Sequence, residues 1–383
     1  MKMLVRGMAL AGLSLVISGC GFWADSEEEI QPNPLPSFTE EKTVDVIWSA
    51  DIGVGLGEKY HQFVPAISGD QVFATDNNGR IQAFSRLDGH SLWTTELNVR
   101  LSGGVGAGFG ALAVASESGE VIALNGKDGK ELWRAPVSTE VVSVPQLNRD
   151  LVVAQLINGK LVAFDRVTGE RRWTYDSLIP RLTLRGTSTP IVTQDVTLAG
   201  FASGKIAAIS NDNGRVLWER RVAVAQGRSE LERMVDIDGR PLLVGNRLFV
   251  TSYQGRLVAM DPRKAQIIWS QNVSSYRGLA AGFGNVYVSE AGDAVQAFDQ
   301  SSSASVWRQD ALKNRAITSP AVLSNAVAVA DAQGYIHFMS QVDGHFIARY
   351  QVDSKGVYGD MKVVDNVLYT LANSGRLVAL QLK

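Results

Sequence analysis

The sequence predicts an all-β fold: an eight-bladed β-propeller of four-stranded blades, with the last blade closed by the N-terminal strand. Three observations carry this. From residue 44 onward no long 3.6-residue period appears, and short alternating apolar runs separated by Gly, Asn and Asp recur instead. One frame then repeats: Gly opens a strand, Ala follows four residues on, a second Gly ten on and Trp fourteen on, as in Gly119, Ala123, Gly129 and Trp133 and in Gly159, Ala163, Gly169 and Trp173. The frame is also cut in a complementary way at its two ends. The last unit stops at Lys383 without an outer strand, and Val44-Asp-Val-Ile-Trp48 is an outer strand with no unit before it.

Composition narrows the function classes. The chain has 383 residues, 45% of them apolar, which excludes disorder. With 37 Lys+Arg against 39 Asp+Glu there is no bulk charge for nucleic acid. The single Cys cannot form an internal disulfide or a thiolate cluster.

Residues 1–19 carry Lys2 and Arg6, then an apolar run from Met8 to Ile17, then Ser18 and Gly19 before Cys20. This is the layout of a signal peptide, too short to span a hydrocarbon core of ~30 Å. Ile17-Ser18-Gly19-Cys20 resembles the bacterial lipobox, which implies that Cys20 is lipidated and becomes the first residue of the mature chain. Gly21 in place of Asp resembles the sorting signal of Gram-negative lipoproteins sent to the outer membrane. Residues 20–43 hold six carboxylates against Lys42, with Pro32, Pro34 and Pro36. That composition predicts an unordered tether spanning roughly 25–30 Å.

Residues 44–383 are the propeller. Its third strands follow Gly79, Gly119, Gly159, Gly204, Gly255, Asp293, Gly334 and Gly375, 38 to 51 residues apart, and an apolar strand pair precedes each. The repeated tryptophans run 48, 93, 133, 173, 218, 269 and 307, with Ala348 as the exception. At one per blade they are expected to pack between blades and to spend their N–H groups on backbone carbonyls. The glycine-dense run Gly103–Gly110 is followed by a strand, not by the helix a phosphate loop opens. Close packing near the axis accounts for it better. His61, His90, His337 and His345 lie in different elements without metal-ligand spacing, and no G-x-S-x-G occurs.

Two connections exceed the norm. From Trp to the next inner-strand Pro the count is 12 at Trp133 and 13 at Trp307, but 17 at Trp173 and 23 at Trp218. Both join an outer strand to the next inner strand on adjacent blades, so they project side by side from one face. The first places Leu178, Ile179, Leu182 and Leu184 beside Arg181 and Arg185. The second holds Ser229-Glu-Leu-Glu232, a capping-box pattern for one or two helical turns, then Met234 and the pair Asp236 and Asp238. Apolar residues flanked by Arg, beside carboxylates, predict a protein-docking patch. The alternative is that the leucines cover the rim of their own blade.

Ala163-x-Asp165-x-x-Thr168-Gly169-x-x-x-Trp173 resembles the tryptophan-docking repeat of the pyrroloquinoline quinone (PQQ) dehydrogenases, over nearly all of residues 44–383. Those sites pair a vicinal disulfide with Ca²⁺ and an Asp base. A chain with one cysteine lacks the first, and no compact Asp/Asn calcium run occurs. The lipobox, acidic tether, eight blades and Arg181-Leu-x-Leu-Arg-Gly186 loop together resemble the BamB family, propeller lipoproteins of the outer-membrane β-barrel assembly (BAM) machinery. The resemblance implies a non-catalytic scaffold without cofactor, lipid-anchored at the periplasmic face of the outer membrane, that assists folding and insertion of outer-membrane proteins. It implies contact with other BAM subunits and with the POTRA domains of the barrel subunit BamA, through Arg181, Leu182, Leu184, Arg185, Asp236 and Asp238. Contact with nascent outer-membrane strands is left open, and the rival is a periplasmic ligand-binding or quinone-dependent propeller.

Overall fold

The computed structural model describes residues 31–56, 63–184 and 186–383. The signal segment, Cys20, the first part of the tether, His61 and Arg185 lie outside them. Eight antiparallel four-stranded sheets follow one another. Seven take their strands in chain order, as in blade three, Gln146–Leu147, Leu151–Gln155, Lys160–Asp165 and Arg171–Asp176. The eighth is built from both ends: Lys362–Val364, Val367–Leu371 and Arg376–Leu382 are completed by Val44–Asp51. The apolar cores lie between successive blades. Leu151, Val153 and Leu161 of blade three, for example, meet Ala199, Phe201, Ala207 and Ile209 of blade four around Trp173.

The repeat frame has a common mechanical cause. In each blade the outer strand is shifted by one residue against its neighbour, immediately before the tryptophan position. Such a bulge re-aims the side chains around it. The tryptophan turns toward the next blade, and the apolar residue ahead of it turns outward, so that Ile47, Leu92, Leu132, Leu217, Ile268 and Val306 stand 42–54% exposed. Each ring then covers a third-to-fourth-strand turn of the following blade. Trp48, Trp133, Trp173 and Trp269 donate their indole N–H at 2.9 Å to the carbonyls of Arg86, Arg166, Asn211 and Gln300, and Trp93 and Trp307 do the same to Gly126 and Gln341. A Cβ on Gly214 would lie 2.7 Å from Trp173 Cβ, at a φ of +72°. Only glycine fits there without displacement.

Ala348 departs from the frame because of what it faces. The turn it would cover belongs to blade eight, and there the turn is replaced by the two ends of the propeller, with Thr43 and Lys383 exchanging backbone hydrogen bonds.

Residues 32–43 fill that place, against the expectation of an unordered tether. The amides of Glu41 and Lys42 both donate to Ile347 O, and Ile347, the bulged residue of blade seven, is only 3% exposed. Farther back, Phe38 packs on Phe346 with ring centroids 5.8 Å apart, and the Arg349 guanidinium lies 4.9 Å over the Phe38 ring. Arg349 and Arg315 donate to the carbonyls of Pro36 and Asn33. The composition argument failed here because the ordering cost is met by contacts with another element, not within the segment.

Beneath this strap lies a closed polar network. Asp331 accepts from Arg315 at 2.7 Å and sits 2.8 Å from His337 Nε2, while Arg349 donates to His337 Nδ1. His337 is therefore a satisfied core residue, whereas His90 and His345 are exposed beside Asp88 and Asp343. The glycine run is also accounted for. Gly103 and Gly106 lie in the inner strand Leu101–Gly108, where a Cβ would meet Ser143 O at 2.7 Å and Pro145 O at 1.8 Å.

Candidate functional site

The two long connections, residues 177–190 and 222–241, emerge from the same face of adjacent blades and are tied to each other. Leu184 N donates to Asp236 Oδ1 at 3.0 Å, and Ser188 Oγ donates to Gly239 O at 3.1 Å. Gly186 lies so close that a Cβ there would sit 2.9 Å from Asp238 Cγ.

The second connection is anchored by its apolar residues. Met234, Val235 and Ile237 are buried, and Ile237 lies against Gly200, where any Cβ would clash at 2.2 Å. Before them the capping box forms as its residues imply. Glu232 N donates to Ser229 Oγ at 3.2 Å, and Ser229 N donates back to Glu232 Oε2 at 3.1 Å. It closes a single turn, not a helix.

The exposed leucines and isoleucine lie toward the tips. Leu178 is 91% exposed, Ile179 47% and Leu182 39%, with Arg181 open beside them and Leu231 of the second connection at 64%. Leu184 turns inward to the mouth of the central channel. Ile179 also partly covers its own blade, since its Cγ2 lies 2.6 Å from where a Gly159 Cβ would be. The rim-covering alternative thus holds for part of Ile179 and not for Leu178.

The carboxylates sit differently from a surface pair. Asp236 is fully buried; its Oδ1 holds Leu184, its Oδ2 has no partner among the described residues, and Tyr253 N donates to its carbonyl at 2.8 Å. Burial pushes its pKa up to about 6, against the Leu184 N–H, which favours the charged form. Asp238 faces the channel and is raised well above the usual range, by burial first and by Asp236 second. The sequence therefore brings together the residues expected together, but Asp236 is a brace between connections and Asp238 a channel wall.

Sequence reasoning allowed for a central channel but named none of the residues that line it for that role. A cavity of about 770 Å³ runs along the axis, lined by inner strands and by the segments that lead into them from all eight blades, among them Arg240, Arg277 and Asp360 just ahead of their inner strands and Lys362 at the start of one. These four come from three separate segments, residues 238–240, 276–278 and 358–364, and the ring brings them together.

Comparison with known proteins follows the same lines. The model of the family described as "Outer membrane protein assembly factor BamB" matches residues 77–309. A protein of that name from Pseudomonas aeruginosa is 44% identical over 371 residues, covering 97% of each chain. Among solved structures, BamB from Moraxella catarrhalis superposes with a TM-score of 0.82 at 24% identity, covering 88% of this chain and 100% of that one. A europium-containing methanol dehydrogenase superposes at 0.70 with 13% identity, covering 88% and 93%. At these identities both structural matches speak for the propeller fold alone. The family match and the 44% relative go further: this chain belongs to the BamB family of outer membrane protein assembly factors.

Proposed function

We propose that this chain is a non-catalytic scaffold of the outer-membrane β-barrel assembly machinery, held by a lipid on Cys20 at the periplasmic face of the outer membrane. It docks on the POTRA region of the barrel subunit BamA and assists folding and insertion of outer-membrane proteins. One observation carries the reading most: two adjacent long connections, braced by Leu184 and Asp236, present exposed leucines and Arg181 on one face of the ring. A rigid backbone under exposed apolar tips favours a partner, because little ordering cost is left for the encounter. In this reading Leu182, Arg181 and Arg185 make contact, while Leu184, Asp236 and Asp238 hold the loop. A vicinal disulfide of the quinoprotein type is out of reach for a chain with one cysteine.

The test is recovery of the protein from detergent-solubilised membranes and identification of what comes with it. Wild type is expected to bring down a large barrel subunit, and Leu182→Glu/Arg185→Glu to lose it by tenfold or more, on the order of 1.4 kcal/mol. Recovery of the subunit unchanged in a folded double variant would place the interface elsewhere.

A further inference from the structure

The central cavity holds a charged group that the docking role does not use. Arg277 is only 4% exposed, and its Nε and Nη1 have no hydrogen-bond partner among the described residues. Its guanidinium carbon lies 4.9 Å from the Tyr276 ring centroid and 5.3 Å from that of Tyr358, so aromatic faces flank it. The backbone around it is fixed. Arg277 N donates to Ser275 Oγ at 3.1 Å, Thr251 Oγ1 donates to Arg277 O at 3.2 Å, and Gly278 N donates to Ser319 Oγ at 2.8 Å. Gly239 passes so close that a Cβ there would lie 2.0 Å from Arg277 O. A buried guanidinium with unpaired donors is costly, and a folded chain keeps one where something else supplies the acceptor.

The rest of the lining supports this. Arg240 and Lys362 face the same cavity, against the carboxylates Asp238 and Asp360. Partial withdrawal from water inside the cavity holds Lys362 down at about 8, with Arg240 adding repulsion, and lowers Arg240 as well, although its side chain stays open to the channel, while Asp360 opposes the shift in each. Burial meanwhile favours the neutral form of Asp238. The cavity thus gathers three basic groups, Arg240, Arg277 and Lys362, and two carboxylates, Asp238 and Asp360, in a volume of about 770 Å³. That size suits a small organic molecule.

We propose that the channel is a binding site for a small anion bearing two or more carboxylate or phosphate groups, with Arg277 as its buried anchor and Arg240 and Lys362 as flanking cations. The channel shares Leu184 and Asp238 with the connections that carry the docking face, but its anchor Arg277 lies outside them, so its failure would leave that reading untouched.

Isothermal titration of the full chain in detergent with citrate and, separately, with pyrophosphate at constant ionic strength tests it. Saturable binding with a Kd below about 1 mM is expected for at least one probe. The probe that binds distinguishes carboxylate from phosphate chemistry. Arg277→Gln is expected to weaken binding tenfold or more and Lys362→Gln severalfold, with the barrel-subunit pull-down unchanged in both. Should Arg277→Gln fail to fold, Lys362→Gln decides. Absence of saturable binding by either probe, or wild-type binding in the folded variants, overturns the proposal.

Discussion

Asp236 shows how a single buried group changes the meaning of a motif. Its carboxyl is lifted from an ordinary 3.8 to about 6, so between those values the folded chain holds a proton that the unfolded chain has released. The stability linked to this group is present below about pH 4 and lost as pH rises through 6. Asp236→Asn keeps an oxygen for the Leu184 N–H and removes the charge. The variant should be more stable than wild type at pH 7.5, by about 1–3 kcal/mol, with the gap closing toward pH 4. Denaturant titrations at three pH values check this, and an advantage independent of pH would point to a cause other than titration. The motif was legible in the sequence and its orientation was not, because nothing in Asp-x-Asp distinguishes a rim carboxylate from one folded under a neighbouring loop.

At Trp173 and Gly214 the opposite holds, since repetition made both role and partner readable. The joint can be tested against a control. Gly110 has the same left-handed backbone, φ +76°, with nothing within 4 Å of where a Cβ would stand. Gly110→Ala should cost about 1 kcal/mol of backbone strain. Gly214→Ala adds a clash with the Trp173 side chain and should cost about 1–3 kcal/mol more. Equal losses in chemical denaturation would mean that the ring gives way freely.

Among elements, the long connections and the strap divide what a sequence can disclose. The connections were visible as departures from a repeat length, and their adjacency followed from the topology of a closed ring. The strap from Pro32 to Thr43 was not visible. Its charge and proline content describe the segment alone, while its order comes from Arg315, Arg349 and Phe346, some three hundred residues away. Phe38→Ala should therefore loosen this element without unfolding the ring. Hydrogen exchange at the Glu41 and Lys42 amides should quicken about tenfold, a local loss of about 1.4 kcal/mol, while the global unfolding midpoint stays within error. A large fall in that midpoint would instead make the strap part of the core.

For the whole molecule, the seam between Val44–Asp51 and Arg376–Leu382 gives the eighth blade the outer strand that the other seven take from their own repeat, and so covers the outer side of Arg376–Leu382. Deleting residues 44–51 should leave Arg376–Leu382 unpaired and shift the protein to aggregates on size exclusion. A monodisperse deletion variant would mean that another segment covers the edge. The ring as a whole was legible because its unit is repeated and because its ends are complementary. The lining of the cavity at its centre was not, since each blade contributes only a few residues to it.

The seam also has a temporal side. Pairs such as Val44 and Leu382 stand more than three hundred residues apart in the chain, while the strands of every other blade are joined by short turns. Closure is thus the contact of highest order, and it cannot begin until the final residues have been synthesised. Thr43 and Lys383 are already hydrogen-bonded neighbours. A circular permutant that links them and opens instead at the Asp365-Asn366 hairpin would make the former seam a local turn. Joining the strands there costs less loop-closure entropy, though the ring then closes between strands on either side of the new ends. Where the ends are cut therefore decides which blade is completed last.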